Sequence, residues 1–243
     1  MFPVGDDNRD RRINPLVNYL LVIINVFVFV FFQGCGTNLK FTYSFSTVPE
    51  EIVTGKDIVT DDQVVEDQLT RERYRVPGLQ PTPIPVYLTI LTSMFMHGGI
   101  AHIFGNMLFL LIFGDNIENR IGHLRYFIFY IICGLLASGT QIYATYFFKG
   151  NPLIPSLGAS GAISGVLGAY ILLYPRRRVR VLIWYFITEV PAIVALGFWF
   201  AFQLINGLGV LGSGSQQGGV AYGAHIGGFI SGLILIKFFT IGK

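Results

Sequence analysis

The chain has 243 residues, 52% of them hydrophobic and 13% charged, with a formal net charge of +3 and two cysteines. A soluble globular domain carries about a quarter charged residues, so this composition excludes an ordinary water-soluble fold and points to a membrane protein. The small net charge asks for no nucleic-acid partner, and apolar runs of about 20 residues are the units to look for.

In chain order, residues 1–14 form a polar tail containing Arg9, Arg11 and Arg12. The first apolar run, about 15–33, carries no charge. Phe32-Gln33-Gly34-Cys35 is a poor match to a lipoprotein cleavage site, because the run is long for a signal peptide and Gln33 suits cleavage badly. An outer loop follows, about 34–98. It holds eight of the fourteen acidic residues (Glu50, Glu51, Asp57, Asp61, Asp62, Glu66, Asp67 and Glu72). Val53, Ile58, Val64, Val65 and Leu69 interrupt it, a pattern of short amphipathic helices on the membrane surface. The apolar piece Val86 to Met96 is too short to span. Further apolar runs lie at about 99–115, 125–147, 158–174, 181–206 and 219–239, making six spans. The fold class is therefore an all-α polytopic bundle, with one membrane domain over 15–240. Cys35 and Cys133 fall at different depths, so no disulfide is expected.

Lys and Arg concentrate on cytoplasmic connections. Pro175-Arg176-Arg177-Arg178-Val179-Arg180 is the strongest such signal. With that turn inside, six alternating spans place both termini, Arg120, Arg125 and Lys243 in the cytoplasm. The acidic loop, Lys149 and the Gly-Ser-Gln segment 207–219 are then outside.

Depth can now be read along each span. Ser160 lies just inside the fourth span from the outer side, His102 and Asn106 near the outer end of the second, and His225 about a turn and a half into the sixth. Polar groups in a membrane are costly unless paired, and they mark function. Gly158, Gly161, Gly165 and Gly168 on the fourth span, with Gly223, Gly227, Gly228 and Gly232 on the sixth, have the spacing that lets two backbones approach closely. That approach brings His225 within reach of Ser160. A serine in such a pattern can be simple packing, as Ser164 one turn deeper is read. Beside His225 it can instead be a nucleophile with a histidine base. His102 and Asn106, at i and i+4, share one helix face. Both can donate to an oxyanion, together with the Ser160 backbone N–H. No acidic third member is placed for a triad. Glu189, beside Pro191, is expected in the middle or cytoplasmic half of the fifth span, where it could satisfy backbone freed by the proline. His97 is read as loop packing and His123 as solvated.

These residues resemble the rhomboid family of intramembrane serine proteases. Gly158-Ala159-Ser160-Gly161 is similar to the family's GxSG motif around its nucleophile, and Ala224-His225-Ile226-Gly227-Gly228 to the segment holding its base. His97-Gly98-Gly99-Ile100-Ala101-His102-Ile103-Phe104-Gly105-Asn106 resembles the second-helix motif, and Glu118-Asn119-Arg120-Ile121-Gly122 the ExR turn. The Trp-Arg pair of many members is absent, with Tyr87, Leu88 and Thr89 in its region. The resemblance implies a six-span core form in the bacterial plasma membrane and a Ser160–His225 dyad. It also implies membrane-anchored protein substrates cut in or near their transmembrane segments, and no metal or organic cofactor. The fifth span, with Trp199, would be a lateral gate.

Other classes fit less well. No HExxH is present, and His97 and His102 at i, i+5 point in different directions. Asp115 has no evident carboxylate partner for aspartyl chemistry. No inverted repeat marks a transporter. The remaining rival is a non-catalytic binding protein for membrane clients on the same scaffold.

Overall fold

The computed structural model describes residues 2–66, 73–213 and 221–242. Asp67, Leu69, Glu72 and residues 214–219 of the Gly-Ser-Gln segment lie outside them. Strand β1 (Phe2–Asp6) precedes helix α1 (Leu16–Phe27), which a π-helical stretch extends to Phe32. In the loop come the short helices α2 (Leu39–Ser44) and α3 (Pro49–Thr54), then the hairpin β2 (Gln63–Glu66) and β3 (Arg73–Val76). Val86–Phe95 forms one short helical piece around α4 (Thr89–Thr92). Helix α5 (Ile100–Phe109) runs through a π-helical turn into α6 (Asp115–Ile121), and α7 (His123–Phe147), α8 (Ser160–Leu173), α9 (Ala192–Ser213) and α10 (Tyr222–Phe239) complete the bundle. Among the described residues, Ile100–Ile121, His123–Phe147 and Tyr222–Phe239 are long and apolar enough to cross a membrane. Leu16–Phe32, Ser160–Leu173 and Ala192–Gly207 are shorter apolar helices.

Helix α8 is the axis. Gly161 to Tyr170 is continuously buried, as expected of a helix that is apolar all round. Helices α7 and α10 pack directly on it. A Cβ at Gly228 would overlap the carbonyl oxygen of Gly161, and one at Gly232 that of Gly165. Small residues thus set the α8–α10 distance, as the glycine spacing predicts.

The first turn of α1 has no cap of its own. Its exposed donors go to a distant residue: the Val17 and Asn18 N–H groups donate to the two carboxylate oxygens of Glu118, at 2.9 and 2.7 Å. A buried anion at a helix N-terminus satisfies orphan donors and complements the helix dipole. His123 is not simply solvated, because its Nδ1 contacts the same carboxylate.

One region departs from the sequence reading. The apolar run 181–206 is not a single span. Strand β4 (Arg178–Ile183) and strand β5 (Phe186–Pro191) form an antiparallel hairpin, and α9 starts only at Ala192. Val179 and Val181 are buried while Arg178 and Arg180 are exposed, which is the two-residue period of a strand. Glu189 sits exposed on β5 opposite Arg180, outside any span, and repairs no helix. The polar N-terminal tail supplies the third strand: β1 pairs antiparallel with β4, Phe2 opposite Leu182 and Asp6 opposite Val179. At the same end of the bundle, Arg125 Nη1 donates to the carbonyls of Phe239 and Ile241, both at 3.1 Å. The N-terminal strand, the α6–α7 turn, the hairpin and the end of α10 therefore share one end. Ser160 starts α8 at the other.

Candidate active site

Gly158 introduces Ser160. Its φ of +124° is in the region that favours glycine, and a Cβ there would lie 2.9 Å from His102 Cε1. The Gly158 N–H is held by the Ser93 carbonyl at 2.9 Å, which fixes the approach to α8. Ser160 is the first residue of α8. The close α8–α10 contact places His225 Nε2 2.8 Å from Ser160 Oγ. Ser164 donates to the Ser160 carbonyl at 2.6 Å and is buried, the packing role expected of it.

Both other polar residues from the second span face the same space. The Gly98 N–H donates to His102 Nδ1 at 3.3 Å. A neutral imidazole that accepts at Nδ1 carries its proton on Nε2, and that nitrogen borders Gly158. Asn106 is 7% exposed, and its Nδ2 has no hydrogen-bond partner. Donors buried without partners are rare, because each costs about 1–3 kcal/mol. His102, Asn106, Ser160 and His225 line one cavity of about 830 Å³. The four residues singled out in the sequence are thus brought together from three helices.

Helix α9 adds two residues. The Trp199 ring lies 6.0 Å from the His225 ring and 6.3 Å from Phe229, so Trp199 walls the cavity. Gln203 was not anticipated. It is buried, and its Oε1 lies 2.8 Å from His225 Nδ1. The signal was available: Gln203 is a polar side chain in an apolar run, four residues after Trp199 and so on the same face. His97 is buried in loop packing, as read. Its backbone is clamped by Gln33, which accepts from the His97 N–H at 2.9 Å and donates to its carbonyl at 2.8 Å.

The set can polarise a hydroxyl, hold a proton on an imidazole and stabilise an oxyanion. No group of three or more His, Cys, Asp or Glu side chains able to hold a metal occurs among the described residues.

Comparison with known proteins gives the same direction. The chain is 30% identical over 156 residues to Rhomboid protein 1, mitochondrial, of Saccharomyces cerevisiae, covering 64% of this chain and 43% of the relative. It is 35% identical over 146 residues to RHOMBOID-like protein 4 of Arabidopsis thaliana, covering 60% and 32%. With the Rhomboid protease GluP of Bacillus subtilis it shares 34% identity over 146 residues, covering 59% and 24%. A shorter match, 33% over 82 residues, is to a protein named Inactive RHOMBOID-like protein 8 from Arabidopsis thaliana. The chain spans less than half the length of each of these relatives. Mitochondrial proteins are among them, so the comparisons do not support the expected bacterial plasma membrane over another membrane. The Rhomboid domain matches residues 85–241, which include all four polar residues of the cavity and Gln203, and this chain belongs to the rhomboid family.

Proposed function

We propose that this protein is an intramembrane serine endopeptidase that works by a Ser160–His225 dyad. One observation carries the reading: Ser160 Oγ lies 2.8 Å from His225 Nε2, in a cavity that the unpartnered Asn106 Nδ2 also lines. Ser160 Oγ attacks a peptide carbonyl carbon while His225 Nε2 takes its proton. The oxyanion is received by Asn106 Nδ2, His102 Nε2–H and the Ser160 backbone N–H. The C–N bond breaks as His225 returns the proton to the leaving nitrogen, and water releases the acyl group by the same base.

Membrane-anchored proteins are the substrate class. Helix α8 has 14 residues, about 21 Å at 1.5 Å each, against a hydrocarbon core of about 30 Å. If its far end sits at one membrane surface, Ser160 lies well below the other, within reach of a transmembrane segment. The arginine-rich hairpin end is the cytoplasmic one, with both termini there.

A serine-reactive fluorophosphonate probe tests nucleophilicity without a known substrate. Wild-type protein is expected to label, and Ser160→Ala and His225→Ala are not. Both variants are also expected to leave a transmembrane reporter uncut while remaining folded. Full activity in either would exclude the dyad, whereas wild-type protein that neither labels nor cleaves would favour a client-binding protein on the same scaffold, the reading that the relative named inactive keeps open.

A further inference from the structure

We infer that Gln203 is a positioning residue for His225, setting its tautomer and making the base dependent on the seating of α9. This rests on the dyad reading above. Both imidazole nitrogens are engaged: Nε2 at 2.8 Å from Ser160 Oγ, and Nδ1 at 2.8 Å from Gln203 Oε1. A neutral imidazole has one N–H and one lone pair. A general base needs the lone pair at Nε2, so Nδ1 must carry the proton and donate it to an acceptor. Gln203 Oε1 is that acceptor.

Among the described residues, no other side chain lining the cavity takes this part. The other titratable side chain lining it is His102 from α5, whose Nδ1 already accepts from Gly98. Tyr222, from the same helix as His225, has its ring 6.4 Å away at a steep angle, and Trp199 offers only a ring face and an N–H. No carboxylate is among the lining residues. Gln203 therefore does with a neutral amide what a buried carboxylate does in a triad.

The location adds a consequence. Ser160 and His225 sit on α8 and α10, whose backbones are locked together at their glycines. Gln203 sits on α9, whose glycines among the described residues meet no backbone of another helix; at Gly207 a Cβ would come within 3.0 Å of the Tyr222 side chain. The inner face of α9 is Trp199 and Phe200 against Phe229, with Gln203 one turn on. Its other face exposes Phe198, Phe202 and Ile205. Asn206, the next polar residue on α9, bonds instead to the Phe202 carbonyl of its own helix. Moving α9 outward would leave the α8–α10 pair intact while removing the acceptor at Nδ1 together with the Trp199 wall.

The test is the rate of fluorophosphonate labelling of the purified full chain in lipid nanodiscs, measured across pH for wild type, Gln203→Met and Gln203→Glu. Methionine keeps the length and loses the acceptor, and is expected to slow labelling at least about tenfold. Glutamate is an acceptor when ionised. It stabilises the imidazolium, and if protonated it donates to Nδ1, so in both states its acid limb moves to higher pH than wild type. A purely structural role would scale the profile without moving it. Wild-type rates in Gln203→Met across the range, or a Gln203→Glu profile superimposing on wild type, would overturn the inference. Should Gln203→Met not fold, the Gln203→Glu profile decides alone. Ser160→Ala separates the two readings: labelling that survives it removes the dyad, whereas labelling lost there but unchanged in both Gln203 variants removes only this role.

Discussion

Asn106 holds an amide nitrogen in the cavity wall with nothing to donate to. Such a group lowers stability and is useful only when an acceptor arrives. Asn106→Ala is therefore expected to slow cleavage of a transmembrane reporter by about 10- to 100-fold, less than Ser160→Ala, since His102 and the Ser160 N–H still donate. Its thermal stability should be equal to or above wild type. Cleavage kinetics and a melting curve on the same preparation check both; a loss as deep as that of Ser160→Ala would assign Asn106 another role. At this scale the sequence was informative because a polar side chain in an apolar run is an outlier whatever surrounds it. Ser160, His225, His102 and Asn106 all stood out that way. Gln203 met the same criterion and was missed. Nothing in the periodicity of α9 says which of its faces looks inward, so the partner of its amide could not be named.

Among the elements, α1 and the hairpin carry opposite lessons. Helix α1 begins without a cap of its own, and the two N–H groups held by Glu118 are satisfied across about a hundred residues of chain. Glu118→Ala should cost about 2–4 kcal/mol, because it leaves buried donors unpaired, and Glu118→Gln less, since one acceptor remains. Unfolding in mixed detergent measures both. The ExR-type turn was visible in the sequence, but its acidic residue reaches the start of the chain only in three dimensions. The α8–α10 contact was legible from glycine spacing alone. Gly228→Val is expected to force α8 and α10 apart at Gly161, losing both stability and probe labelling, because the Cβ meets backbone that has no room to give. The hairpin falls inside the expected run 181–206 for a simple reason: Val181, Leu182 and Ile183, with the aromatic residues after them, are as apolar in a window average as a helix would be, while Arg178 to Arg180 read as the preceding turn. The strand shows only when turn and run are taken together, as the alternation Arg178, Val179, Arg180, Val181, a stretch too short to outweigh the long apolar run that follows.

For the molecule as a whole, the N-terminal segment closes one end of the bundle. Asp6, on β1, accepts from Asn116 Nδ2 at 2.7 Å and from the Tyr170 hydroxyl at 2.6 Å, while its Oδ1 has no partner. Burial pushes its carboxyl from the ordinary value of 3.8 up to about 6, against the pull of Tyr170, Arg177 and Arg11. Between those two values the unfolded chain has released a proton that the folded protein still holds. Stability therefore falls as pH rises from about 4 to about 6, by on the order of 3 kcal/mol, and this contribution is flat above that. Asp6→Asn should flatten this part of the profile, as measured by thermal unfolding over pH 4–7.

The sequence by itself determined the membrane class, the helical bundle and four polar residues of the cavity, Ser160, His225, His102 and Asn106. Each follows from local quantities: the scarcity of charge, the length of apolar runs, the spacing of glycines and the presence of polar outliers. Tertiary structure alone decided three things. It paired β1 with the hairpin, it brought Glu118 to the start of α1, and it turned Gln203 toward His225. All three depend on which surfaces meet across long stretches of chain, and a side chain's partner is chosen by the packing of whole elements rather than by its neighbours in sequence.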